Sequence, residues 1–112
     1  MTWREFQPEN RAAQRGSESG IILLDEEHEI GARISLERDC SIAPFAVTCG
    51  IYGWMVHTRF FSDDAEARAQ YALMRDALVP ILEGIPYENE PDFQPKWDRT
   101  IADIQAFVAR FP

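Results

Sequence analysis

The chain reads as an α+β domain: an antiparallel sheet of about four strands with two C-terminal helices packed on one face. Three observations predict this. Residues 45–61, FAVTCGIYGWMVHTRFF, hold no carboxylate and are rich in the β-branched and aromatic side chains that suit a pleated surface. Ala32, Ile34 and Leu36 alternate with Arg33, Ser35 and Glu37, the pattern of a half-buried antiparallel strand. After Ser62 the apolar residues recur at three and four, as on helices. Strands followed by helices, with no internal repeat, point to α+β and not to alternating βαβ units.

Taken in order, residues 1–20 form a polar N-terminal segment, partly ordered at best, and residues 21–112 form one domain. Pro8 can open a short helix through Gln14 that Gly16 ends, and residues 17–20 read as linker. Trp3 and Phe6 are the bulky apolar anchors of this segment. Residues 21–24 are a short apolar strand, and Asp25-Glu26-Glu27-His28-Glu29 reads as an acidic turn. Residues 31–38 form the next strand, ended by a loop that Pro44 closes, because proline interrupts a central ladder.

In residues 45–61 two readings compete: a hairpin with a tight turn at Tyr52-Gly53, or one long strand bent at its glycines. The hairpin is favoured, since strands usually run about 5–6 residues. Asp63 as N-cap places Glu66 at N3, a capping-box spacing. The helix that follows buries Tyr71, Met74, Leu78, Ile81 and Leu82. Pro80 should bend it or loosen its last turn, and Gly84 with Ile85 suits a Schellman ending. Residues 87–94 are loop, and Pro95 at N1 opens a second helix with Trp97, Ile101, Ile104, Val108 and Phe111 on its buried stripe.

Eleven basic against nineteen acidic side chains give a net charge of −8. Nucleic-acid binders carry a basic patch that displaces counterions from phosphates. Lys96 is the only lysine and no cluster of Lys and Arg exists, which disfavours nucleic acid and anionic membrane. The opening MTWREFQPEN lacks the apolar segment of a secretory signal, and no apolar run approaches the roughly 20 residues of a membrane span. Cys40 and Cys49 form no CxxC pair, so reduced thiols in the cytoplasm are expected.

Three constellations could carry chemistry. The first is the acidic run with His28, whose oxygens and imidazole suit a divalent ion; without further ligands at the right spacing, a solvated turn is the simpler reading, and neither metal nor cofactor is expected. The second is Cys49 with His57, a thiol and a base on neighbouring strands. Cys49 alternates with Phe45, Val47 and Ile51, which favours a buried, inert thiol.

The third constellation is a face. If the helices cover Ile34, Leu36, Val47 and Cys49, the other side presents Arg33, Ser35, Glu37, Thr48 and Tyr52. The same parity on the last strand adds Met55, His57, Arg59 and Phe61. Arginine and tyrosine beside apolar groups are what binding surfaces favour. No P-loop, GxGxxG, GxSxG or HExxH motif is present. The leading expectation is a non-enzymatic cytoplasmic protein acting through Arg33, Thr48, Tyr52, His57 and Arg59, as a homodimer or by binding another partner. The alternative is a small enzyme or small-ligand-binding protein using His57, Arg59, Tyr52 and Arg33.

Overall fold

A five-stranded antiparallel meander carries two helices on one of its faces, the α+β architecture expected from the sequence with one strand more. The structure is a computed structural model and describes residues 2–9 and 14–112. The strands are β1 (Trp3–Glu5), β2 (Ile21–His28), β3 (Ala32–Arg38), β4 (Phe45–Ile51) and β5 (Met55–Phe61), in that spatial order. The helices are α1 (Asp64–Glu83) and α2 (Phe93–Arg110). No helix among the described residues is long and apolar enough to cross a membrane.

The additional strand is β1, which pairs Trp3, Arg4 and Glu5 with His28, Glu27 and Glu26. Trp3 sits edge-on to the His28 ring at 5.1 Å, and Phe6 lies beneath the Arg33 guanidinium at 3.7 Å, so both aromatic anchors engage the sheet. The expected helix from Pro8 to Gln14 falls largely on residues 10–13, outside the described residues.

The acidic run is not a turn. β2 extends through it to His28, and the reversal occurs at Glu29–Gly31, where Gly31 takes the positive φ of 131°. A strand can hold these acids because each meets a partner across the sheet or on α1. Asp25 accepts two hydrogen bonds from Arg33, at 2.9 and 2.6 Å. Glu26 accepts from the Tyr71 hydroxyl at 2.6 Å and from Arg75 at 3.1 Å, latching α1 to β2.

Residues 45–61 form the expected hairpin. β4 and β5 pair from Phe45↔Phe61 to Ile51↔Met55, and Gly53 supplies φ of 82° in the connection. Only glycine adopts that region without strain.

At α1, Asp63 caps the helix by accepting the Glu66 N–H at 2.8 Å, as the capping-box spacing predicts. Tyr71, Met74, Leu78, Ile81 and Leu82 are all buried against Ile34, Leu36, Val47, Cys49 and Ile51. The helix continues past Pro80 to Glu83. Its ending differs from the Schellman motif: Gly84 stays right-handed at φ −92°, and the N–H groups of Gly84 and Ile85 reach back three residues, to Ile81 and Leu82. That is a 3₁₀ closure of the last turn.

α2 begins at Phe93, two residues before Pro95, which is tolerated in a first turn whose N–H groups lack intrahelical partners. Its buried face is rotated from the expected stripe. Thr100, Phe107 and Phe111 are buried and Ile104 is partly so, whereas Trp97, Ile101 and Val108 remain exposed. Both stripes satisfy three-and-four spacing, and packing against α1 selects the one containing Phe107.

Candidate functional site

The helices cover one face of the sheet, and the opposite face is where the functional groups collect. Register fixes its rows. Arg33, Gly50 and Val56 stand side by side, as do Ser35, Thr48 and Thr58, and then Glu37, Ala46 and Phe60. Thr48 and Thr58 share a hydrogen bond at 3.0 Å, a cross-strand hydroxyl pair.

A loop from the N-terminal segment walls this face on one side. The Ser17 hydroxyl meets that of Thr48 at 3.3 Å. Glu37 fastens the loop from below: it is fully buried, and its Oε1 accepts the N–H groups of Glu18 at 3.1 Å and Gly20 at 3.0 Å. Gly16 lacks a side chain here, where a Cβ would overlap the anchored Glu37 carboxyl group. The neighbouring thiol of Cys40 is pushed up to about 11 by burial and by Glu37.

Between this wall and β5 lies an open cleft of about 720 Å³, lined by Arg15, Ser17, Ile22, Arg33, Thr48 and Tyr52 among others, with Gly50 and Val56 on the β5 side. Its volume falls in the range of roughly 300–1,000 Å³ typical of binding sites. The absent side chain at Gly50 leaves the floor open. Val56 is 79% exposed and Tyr52 53%, so both stand proud of the floor.

Most of the charge at the cleft is already neutralised. Hydrogen bonding to Asp25 raises the Arg33 pKa and holds the guanidinium in place. Tyr52 donates to Glu27 Oε2 at 2.6 Å. Desolvation and that bond push Tyr52 up to about 12, while the same bond lowers Glu27, so the pair stays phenol and carboxylate at neutral pH. Arg15 makes no ion pair with any described residue, which leaves its charge at the cleft wall for a ligand.

The five residues singled out in the sequence do not form one site. Arg33, Thr48 and Tyr52 lie on the open face, but His57 and Arg59 face the helices together with Met55 and Phe61. The reason is turn length. A two-residue turn would pair odd-numbered β5 residues with the even-numbered, open face of β4. The three-residue connection Tyr52–Trp54 pairs odd with odd, Cys49 with His57 and Val47 with Arg59. One residue in a turn transfers every side chain to the other face.

On the helix side both residues have structural partners. The His57 Nε2 lies 2.5 Å from the Phe111 carbonyl oxygen, and its ring packs edge-on against Phe107. Arg59 donates to the Pro112 backbone oxygen at 3.1 Å and to Gln70 at 2.7 Å, and burial lowers its pKa. Together they tie the end of α2 to β5. Cys49 is buried and its thiol is pushed up to about 12, the opposite of an activated nucleophile.

The sequence reading missed Arg15, Ser17, Val56, Thr58 and Phe60 on the open face. The β5 residues follow from parity once the turn length is known; Arg15 and Ser17 carry no local signal. Comparison with protein-family models, with curated proteins and with solved structures finds no match.

Proposed function

We propose that this chain is a non-catalytic binding protein that works through the open face of its sheet. Its partner is a protein segment that lays an apolar side chain into the cleft, with an anionic group directed to Arg15. The observation that carries this reading is the cleft itself: exposed Tyr52 and Val56 beside a glycine-floored hollow, its Arg33 neutralised by Asp25 and its Arg15 without an ion pair among the described residues. Aromatic and apolar anchors beside a concave site are what binding energy is concentrated on. The enzyme reading needed Arg33, Tyr52, His57 and Arg59 to converge, and these four are divided between the two faces. Cytoplasmic residence is part of the proposal, supported by two free cysteines.

Anilinonaphthalene sulfonate, with apolar rings and one anionic group, is a suitable probe. Saturable one-to-one binding by the folded protein is expected. Gly50→Val should weaken it about tenfold or more, equivalent to roughly 1.4 kcal/mol, because the new side chain occupies the floor. Its Cβ would lie 3.2 Å from the Met55 carbonyl oxygen and 3.7 Å from Val56, so the strand takes it with a small adjustment. Arg15→Glu should weaken binding too. Equal affinity in wild type and Gly50→Val would overturn the assignment. A small molecule held as tightly as any peptide would favour the small-ligand reading, which the cleft volume also accommodates.

A further inference from the structure

We infer that the outer edge of β5 and the adjoining flank of α2 form a self-complementary surface for a second copy of this chain, paired antiparallel with Thr58 on the two-fold axis.

β5 is an edge strand, and among the described residues nothing beyond β4 hydrogen-bonds to its backbone. Soluble proteins usually protect such an edge with charged side chains, lysine above all, or with proline or a bulge. β5 has no lysine, proline or bulge, and its one arginine, Arg59, is turned to the helix side and bonded to Gln70 and Pro112: seven residues, MVHTRFF, paired with β4 in unbroken register. The opposite edge differs, since β1 is three residues long and bears Arg4 and Glu5.

The sequence of β5 fits its own reverse. With Thr58 on the axis, Val56 stands opposite Phe60 of the second copy, and Phe60 opposite its Val56. Val56 is 79% exposed and Phe60 42%, both on the open face. An aromatic and a β-branched side chain make a favourable cross-strand pair. His57 meets Arg59 on the helix side, so no two arginines stand directly opposite.

A separate element points the same way. α2 turns Asp103, Ala106 and Arg110 toward α1. Ile101 and Val108 lie five residues from Ala106 and Asp103, about 140° around the helix, on the flank away from α1. His57, Arg59 and the Trp54–Trp97 contact at 4.7 Å hold α2 on the β5 side of the helix layer. That flank therefore adjoins the same edge. Ile101 and Val108 are 39% and 37% exposed, and a two-fold through Thr58 would set them against their counterparts.

The self-complementary register of β5 selects a second copy as the occupant, and charge permits it there. A chain of net charge −8 repels itself least where carboxylate side chains are absent, and β5 and residues 104–112 hold none. A two-fold contact repeats each pairing twice, so modest pairs are doubled. The pairing also sets Phe60 of the second copy beside Val56 at the open side of the cleft.

Sedimentation equilibrium tests this without any ligand, so its failure leaves the cleft reading standing. Wild type should be dimeric at about 100 μM. Phe60→Lys and Ile101→Lys should each raise the dissociation constant at least about tenfold, with the far-UV circular dichroism unchanged. In a Cys40→Ser background, Thr58→Cys should form a disulfide-linked dimer on mild oxidation, and Glu88→Cys in the same background should not. A monomeric wild type at that concentration, a dimer that survives Phe60→Lys, or equal cross-linking at positions 58 and 88 overturns the inference.

Discussion

Removing the Glu37 carboxylate tests whether the N-terminal loop is fixed to the sheet by an acceptor. Glu37 lies beneath residues 16–20, fully buried, and its Oε1 receives two backbone N–H groups. Its Oε2 has no partner among the described residues. Hydrogen bonds to a charged acceptor contribute about 1.5–3 kcal/mol each, and a buried N–H left alone costs about 1–3 kcal/mol. Against this stands the cost of burying a carboxylate with one oxygen unmatched, which truncation relieves. Of the two donors, Gly20 N–H is buried, whereas Glu18 can turn to water. The balance for Glu37→Ala is a loss of about 2 kcal/mol, or roughly 8 °C in Tm for a domain of this size. Glu37→Gln keeps Oε1 as acceptor and removes the charge, and should stay within about 1 kcal/mol of wild type. Urea denaturation of the three proteins gives the values, and hydrogen exchange at Gly20 reports the loop directly. If Ala and Gln cost the same, the acceptor role is wrong. A neutral Glu37→Ala would mean that the loop is held by other contacts.

Phe107→Ala should cost about 3–4 kcal/mol in chemical denaturation, whereas Gln105→Ala, on the exposed side of α2, should stay within about 0.5 kcal/mol. His57→Phe should loosen the end of α2, seen as faster exchange over residues 107–111 with α1 unaffected, because the Phe111 carbonyl loses its partner. Cys49 should react with a thiol reagent far more slowly than Cys40, being buried as well as raised to about 12. The folded pKa of Cys49 lies above its ordinary 9.0, so the associated stability is complete below pH 9 and is lost as pH rises toward about 12. Cys49→Val should show a shallower alkaline decline in a pH series of denaturation curves; Cys40, Tyr52 and Tyr71, also raised, account for what remains.

Much of the fold was legible because local signals agreed with tertiary ones. Alternation in residues 31–38 and 45–51 named the buried face, and Asp63 with Glu66 marked the start of α1. The acidic run misled because composition suggests solvent, whereas Asp25 and Glu26 find Arg33, Tyr71 and Arg75, residues up to 49 positions away. β1 had no alternation to show, being three residues whose pairing depends on β2. On α2, periodicity allowed two stripes, and only contact with α1 distinguishes them. For the candidate site, Arg33, Thr48 and Tyr52 were readable from β3 and β4 alone. His57 and Arg59 were assigned to the wrong face because parity beyond a turn depends on its length, which the residues near Gly53 do not state. Arg15 and Ser17 reach the cleft by a chain excursion that no periodicity encodes.

If the partner docks on the open sheet face and not on the helix layer, amide shift mapping by NMR with anilinonaphthalene sulfonate as probe will show it. Perturbations are expected at residues 15–17, 48–50, 52 and 56, saturating with one affinity and diminished in Gly50→Val. Shifts concentrated on α2, or in the groove between Ala77 and Phe107, would contradict it.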